Sequence, residues 1–417
     1  MKILQINSFH FPKGGSDKVY LNTARLLKNR GHIVVCFSSN NNRNIKEFSN
    51  KYFVSNSIPT NKNFVSQLLS LRDFLYSKEA YKNLKSLIAA EKPDIAHLHI
   101  FYGYLTSSVL AALNELKVPT VMSVHEYKML CPAYTFLNGK DEICEKCPNS
   151  KSYWYCITGK CTKNNYIYST VAALESAYRD KYFNYFDRID KFIMPSKFIL
   201  DTHVKYHPEI IDKVELVYNC QLAGFNYELN LESINGDYYL YLGRLSKEKG
   251  VLTLLNAWKY FRNIKLKVVG EGPEKEYLEN YVKTNDINSV EFTGYQSGKA
   301  LQKLVKNCSF VIIPSEWYEN NPMSVIESLS LGKPVIGADI GGIPEILDES
   351  FAFIFESGNI ESLKNSIKKS LAVKGSKYFS YANSAKQFAR ETFSEDIHYE
   401  KLINIYNSVL NTNETSS

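Results

Sequence analysis

Short apolar runs of three to six residues recur twelve times along the chain, and an amphipathic stretch of helical period follows most of them. A strand buried on both faces reads as such a run, and a helix that covers a parallel sheet reads as such a stretch. The alternation therefore predicts repeated strand-helix units in an α/β fold. In the first half the runs are Ile3 to Asn7, Ile33 to Ser38, Ile95 to His99, Thr120 to Val124, Phe192 to Pro195 and Glu215 to Tyr218. Helical patterns lie near Asp17 to Lys28, Val65 to Ala90, Leu105 to Leu116 and Tyr166 to Phe186. In the second half the runs are Tyr239 to Leu242, Leu266 to Val269, Val290 to Thr293, Phe310 to Ile313, Val335 to Gly337 and Ala352 to Phe355.

A chain of 417 residues is too long for one hydrophobic core. Six runs and six runs predict two doubly wound, Rossmann-like domains, with a ligand cleft outside the carboxyl ends of the strands. The first spans 1–220 and carries a cysteine-rich insertion at 127–165; the second spans 238–378. The segment 221–237 between them is polar, contains two glycines and reads as an interdomain linker. Residues 379–410 read as C-terminal helices, and the polar tail 411–417 is expected to be disordered.

Charge narrows the partners. Lys and Arg exceed Asp and Glu by 50 to 43, a net charge of +7. That excess is too mild to require nucleic acid, but it suits an anionic ligand or an anionic membrane surface. The chain has no apolar run of about 18 residues, and its N-terminus reads directly as a strand, so a cytoplasmic protein is expected, at most bound to the inner face of the plasma membrane.

Three motifs stand directly after strands. Gly14-Gly15-Ser16-Asp17 precedes a helix, where two glycines let backbone amides approach an anion; the alternative is a plain glycine turn with Ser16 as N-cap. The G-x-G-x-x-G fingerprint and the P-loop lysine motif are absent, so hydride transfer and P-loop nucleotide hydrolysis lose support. In Gly243-Arg244-Leu245-Ser246-Lys247-Glu248-Lys249-Gly250, Arg244 and Lys249 are placed to clamp a diphosphate, or else form an ordinary solvated basic loop. The stretch Pro314 to Glu327 places Glu319 in a loop and Glu327 in a helix seven residues on. Asn321 and Pro322 read as N-cap and first residue of that helix. The alternative for Glu327 is an exposed helical glutamate.

Glu319 and Glu327 form an E-x7-E pattern, followed by Gly332-Lys333-Pro334-Val335-Ile336 and Gly341-Gly342-Ile343-Pro344-Glu345. Together with Gly270-Glu271-Gly272-Pro273, Phe292-Thr293-Gly294-Tyr295 and Ser123-Val124-His125, these motifs resemble retaining glycosyltransferases of family 4 of the bacterial surface-polysaccharide type. The resemblance implies a GT-B fold with a nucleotide-sugar in the cleft and C-terminal helices that cross back to the first domain. It implies that Arg244 and Lys249 hold the donor diphosphate, Glu327 the ribose hydroxyls and Glu319 the transferring sugar. Asn321, Pro322, Met323 and Ser324 would lie near sugar and phosphate, His125 at the donor sugar, Gly14 and Gly15 near the leaving phosphates, and Gly294 and Tyr295 near the base. Asn320-Asn321 departs from the usual Gly-aromatic pair, and Glu126 stands where Asp is common.

The activity so implied is a retaining hexosyl transfer from a UDP- or GDP-sugar to a saccharide acceptor, lipid-linked, in O-antigen or capsule synthesis, with no cofactor required for catalysis. Two rivals are a nucleotide-sugar epimerase on the same fold and a silent carbohydrate-binding protein. The histidines at 97 and 99 share one strand face and read as pocket lining or structure rather than a metal pair. Within the insertion, Cys131, Cys144, Cys147, Cys156 and Cys161 include one Cys-x2-Cys pair. In a reducing compartment this favours a structural zinc on four of the five over free thiols, with disulfides last. Lys62 to Ala90 and Tyr166 to Phe186 read as amphipathic helices whose apolar positions mostly pack inward, with basic and aromatic rims suited to anionic lipid.

Overall fold

The computed structural model describes residues 1–55, 72–221 and 236–415. The expected linker lies mostly outside the described residues, as do the first ten residues of the expected Lys62 to Ala90 helix. The chain forms two compact units: Met1–Pro195, Ile199–Val217 and His398–Ser417 in the first, Ser196–Phe198 and Tyr218–Ile397 in the second.

Six strands build the first unit: β1 (Lys2–Ile6), β2 (Ile33–Phe37), β3 (Ile95–Leu98), β4 (Thr120–Ser123), β5 (Lys191–Met194) and β6 (Val214–Leu216). They pair in parallel in the order β2-β1-β3-β4-β5-β6. Burial explains their composition, since Ile3, Leu4, Ile6 and Ile95 are wholly buried and their neighbours must be covered on both faces. The second unit holds β7 (Tyr238–Leu242), β8 (Lys265–Val269), β9 (Val290–Gly294), β10 (Cys308–Ile313), β11 (Val335–Asp339) and β12 (Ala352–Glu356). Their order is β12-β11-β10-β7-β8-β9, the doubly wound order of a Rossmann sheet. This is the two-domain α/β architecture of the GT-B fold, and each sheet reverses its winding once: between β1 and β3 in the first, between β7 and β10 in the second.

The C-terminal region differs from expectation. The helix Gly375–Phe393 contributes Tyr378, Ala382, Ala385, Ala389 and Phe393 to the cores of the second unit, so the return to the first begins only at His398. The last helix, Glu395–Thr415, packs Leu402, Ile405, Tyr406 and Val409 on the first sheet. It runs through 411–415, which were expected to be disordered, because neither glycine nor proline interrupts its last turns.

Candidate functional site

Open α/β sheets bind ligands at the loops that leave the sheet on either side of a winding reversal. In the second unit those loops are Gly243–Gly250 after β7 and Pro314–Asn321 after β10. The first is pinned by buried Leu245, whose N–H donates to Glu271 O at 3.0 Å. A turn at Lys247–Lys249 then carries it to Gly250, whose φ of +66° suits glycine. A Cβ there would lie 1.8 Å from Pro314 O, so the two loops touch backbone to backbone, and Glu316 N–H donates to Glu248 O at 2.8 Å.

That contact sets Lys249 against Glu319. Lys249 Nζ lies 2.6 Å from Glu319 Oε1, Ser315 Oγ donates to the same oxygen at 2.7 Å, and the ammonium sits 4.8 Å from the Trp317 ring centre. Glu319 is buried. Burial alone would push its carboxyl up, but the charge and hydrogen bonds of Lys249, with help from Ser315, hold it below the ordinary carboxylate range. An ammonium has three N–H donors, so Lys249 can keep Glu319 and still donate to an anionic oxygen. Gly341 and Gly342 back this loop: Gly342 N–H donates to Glu319 O at 2.7 Å, and a Cβ on Gly342 would stand 1.8 Å from Asn320 O.

The other expected residues of this unit fall around these loops. Arg244 is exposed, enters no ion pair among the described residues, and its carbonyl accepts from the Tyr241 hydroxyl at 2.7 Å. Gly294, at φ +68°, accepts from Gly270 N–H at 3.0 Å, and Tyr295 beyond it is exposed. Glu327 is buried, against the reading of an exposed helical glutamate. The expected cap is displaced: the helix is Met323–Ser330, Pro322 is its N-cap, and Met323 and Ser324 form its half-buried first turn. Asn321 does not cap it, because its Oδ1 accepts from Asn219 N–H at 2.9 Å instead.

In the first unit, Gly14 and Gly15 open the helix Gly15–Asn29. Ser16 is not its N-cap: Gly14 is, and the Asp17 carboxylate accepts from Gly14 N–H at 3.0 Å and from Asn7 Nδ2 at 2.9 Å. Past β4, His125 ends a buried relay. Gln5 on β1 and His97 on β3 are register partners, which brings Gln5 Nε2 to 3.2 Å from His97 Nδ1; the Tyr406 hydroxyl meets the same nitrogen at 2.7 Å. With two donors facing it, Nδ1 accepts, and His97 Nε2–H donates to Ser123 Oγ at 2.8 Å. Gln5 Oε1 takes the His99 Nε2–H at 2.9 Å, so His99 Nδ1 accepts from His125 Nε2–H at 2.9 Å. His125 thereby keeps a lone pair on Nδ1.

These rings are neutral. Burial lowers His97 to about 3 and His125 to about 4, and holds His99 well below the usual histidine range. A folded pKa below the unfolded value near 6.5 costs nothing above that pH, but below it the unfolded chain binds protons that the folded chain refuses. Stability is therefore expected to fall from about pH 6.5 toward pH 4. A melting temperature that stays level across that range would contradict the neutral relay. Glu126, next to His125, is pushed up to about 7 by burial, with Lys128 opposing.

The five cysteines of the insertion share one location. Cys147 and Cys156 form a small apolar core with Ala173, packed against Cys161 and Tyr153, and burial pushes the thiols of Cys131 and Cys147 up to about 11 and about 12. Among the described residues, the set of three ligand atoms that gathers within 4.8 Å belongs to His10, Cys36 and Glu47. Among the described residues, Cys131, Cys144, Cys147, Cys156 and Cys161 do not draw three ligand atoms that close, but Cys131, Cys161 and Cys144 lie near enough to Cys147 to help raise its thiol, and Cys161 is raised by its hydrogen bond with Cys156. The His10 group is a polar knot, with the Tyr20 hydroxyl on His10 Nδ1 at 2.8 Å and Lys28 on Glu47 at 2.5 Å.

Ser315 and Trp317 around Glu319, and Gln5 and Tyr406 behind His125, were not singled out from sequence. Ser315 and Trp317 stand inside the Glu319 motif and were legible there. Gln5 and Tyr406 meet His97 only through folding.

Comparison with known proteins shows the family and the fold. Residues 13–220 match the family model described as Glycosyltransferase Family 4, and residues 230–391 match that described as Glycosyl transferases group 1. An uncharacterized glycosyltransferase of Methanocaldococcus jannaschii is 25% identical over 373 residues, 88% of this chain and 87% of its own. A lipopolysaccharide 1,2-N-acetylglucosaminetransferase of Salmonella typhimurium is 33% identical over 149 residues, 32% of this chain and 39% of its own. Among solved structures, Anabaena HepE in complex with UDP superposes with a TM-score of 0.67 at 16% identity, covering 98% of this chain and 100% of that one. Among the described residues, no helix is long and apolar enough to cross a membrane.

Proposed function

The chain belongs to the family 4 type of GT-B glycosyltransferases, and from that premise we propose that it transfers a hexosyl group, with retention, from a UDP- or GDP-sugar to a lipid-linked saccharide during cell-surface polysaccharide assembly. The observation that carries the donor assignment is the Lys249–Glu319 pair, 2.6 Å apart at the winding reversal of the second sheet. Cleaving a glycosyl–phosphate bond builds negative charge on the departing diphosphate. Cationic donors held in place beforehand stabilise that charge without reorganising.

In this reading Lys249 donates to the diphosphate while Glu319 fixes its ammonium, a positioning role in place of the sugar contact implied by family resemblance. Arg244, exposed and outside any ion pair among the described residues, is available to swing onto the same anion. Glu327 accepts from ribose hydroxyls, the first turn at Met323 and Ser324 offers backbone amides, and Gly294 and Tyr295 border the base. On the first unit, His125 Nδ1 accepts from a sugar hydroxyl and Gly15 presents its amide to an anion, the Gly14 amide being held by Asp17. The departing phosphate takes the acceptor proton, so no protein base is assigned.

That one bacterial relative is named as a lipopolysaccharide transferase supports the choice of acceptor class. The test is a panel of UDP- and GDP-sugars incubated with and without lipid-linked saccharides. The proposal expects product only where both substrates are present, with the anomeric configuration of the donor kept. Conversion of the donor sugar to its epimer without acceptor would assign an epimerase instead, and binding without any product would assign a silent receptor.

A further inference from the structure

The helix Tyr166–Tyr182 is inside out. Its buried face carries Ser169, Ala172, Ala173, Glu175, Ser176 and Arg179. The two charged members pair inside: Glu175 Oε2 lies 2.8 Å from Lys128 Nζ and 3.6 Å from an Arg179 nitrogen, and the Arg179 guanidinium lies 5.3 Å from the Tyr185 ring centre. Its outer face carries the apolar side chains, with Ile167 74%, Leu174 52% and Tyr182 51% exposed. At 100° per residue those three fall on one stripe with Val171 and Tyr178, about 25 Å long for 17 residues. A surface helix ordinarily turns such a stripe to the core, so its exposure marks a contact surface.

The neighbouring residues say what kind. The short helix Trp154–Thr158 packs on this one through Cys156 Sγ, 3.8 Å from Ser169 O, and exposes Trp154 and Tyr155. From Lys146 to Leu174 the chain has four lysines and no Asp or Glu. Two of those amines cap aromatic rings, Lys160 at 4.6 Å from Tyr166 and Lys163 at 4.5 Å from Tyr168. Aromatic rings with a polar tip and lysines on flexible stems complement an anionic headgroup layer.

We propose that this face docks on an anionic lipid bilayer. The inference deepens the reading of a lipid-linked acceptor and rests on it for its purpose, but the contact itself is measurable without turnover. Flotation at low salt, with phosphatidylcholine vesicles carrying or lacking phosphatidylglycerol, is expected to recover the protein on the anionic vesicles alone. The pair Ile167→Asp and Leu174→Asp, or the pair Lys160→Glu and Lys163→Glu, is expected to lower the bound fraction roughly tenfold or more. Ile167, Leu174 and Lys163 are exposed and Lys160 is half-buried, and unchanged melting would confirm the fold. Brominated lipid is expected to quench emission in the intact protein and to lose that effect in Trp154→Phe. Absence of binding, equal binding to neutral vesicles or undiminished binding by both variants would overturn the proposal. A dimer that dissociates in the Leu174→Asp variant would also overturn it, assigning the stripe to a second copy of the chain. Vesicle binding without transfer from any nucleotide-sugar would sink the functional reading and leave the contact standing.

Discussion

Lys249→Met is expected to lower sugar transfer by about tenfold to a hundredfold, the loss of a charge-assisted contact of roughly 1.5–3 kcal/mol in the transition state. The substitution also acts on stability. It strands the buried Glu319 carboxylate, and losing one partner of a buried pair costs about 3–5 kcal/mol. Combining it with Glu319→Gln removes the stranded charge while keeping an acceptor for Ser315 Oγ. The double variant is therefore expected to regain most of the stability in urea melts and none of the turnover. That split separates a donor-site role from a purely structural pair; a double variant that transfers sugar at the original rate would remove Lys249 from the chemistry.

The second large effect is expected at Gly250→Ala. The residue combines φ +66° with a Cβ position 1.8 Å from Pro314 O. A left-handed conformation costs a residue other than glycine roughly 1–2 kcal/mol, and overpacking adds about 1–3 kcal/mol. The sum, roughly 2–5 kcal/mol, is expected to appear as lost stability together with weaker nucleotide binding, because the two loops must part. Gly375→Ala is the control, since its φ is +56° but nothing lies within 4 Å of a Cβ there. It is expected to show the conformational cost alone and unchanged binding. Equal effects at the two positions would mean that the loop contact carries nothing.

Much of this architecture was legible because buried parallel strands announce themselves. All twelve apolar runs are strands, displaced by at most two residues at their ends. The loops of the second unit were legible for the same reason, since each motif follows its strand directly. What escaped depended on partners far away in sequence. The helix after β10 starts at Met323 because Asn321 is engaged by Asn219, 102 residues earlier. The histidine relay joins Gln5, His97 and Tyr406 across separations of 92 and 309 residues. The amphipathic reading of Tyr166 to Phe186, with its apolar positions mostly inward, fails over Tyr166–Tyr182, because a polar face with Glu175 paired to Lys128 takes the inner side. The region 379–393 reads as a helix from sequence, whereas its membership of the second unit depends on Ala385, Ala389 and Phe393 meeting a core assembled from distant strands.

Thermal melting in the presence of UDP and GDP tests the central claim most directly. A nucleotide that binds the folded chain alone raises the melting temperature with concentration, by about 2.7 kcal/mol of stabilisation at a hundred times its dissociation constant. The account predicts such a rise with at least one of the two, abolished or strongly reduced in the Lys249→Met and Glu319→Gln double variant. No rise with either nucleotide, or an equal rise in the double variant, would contradict it.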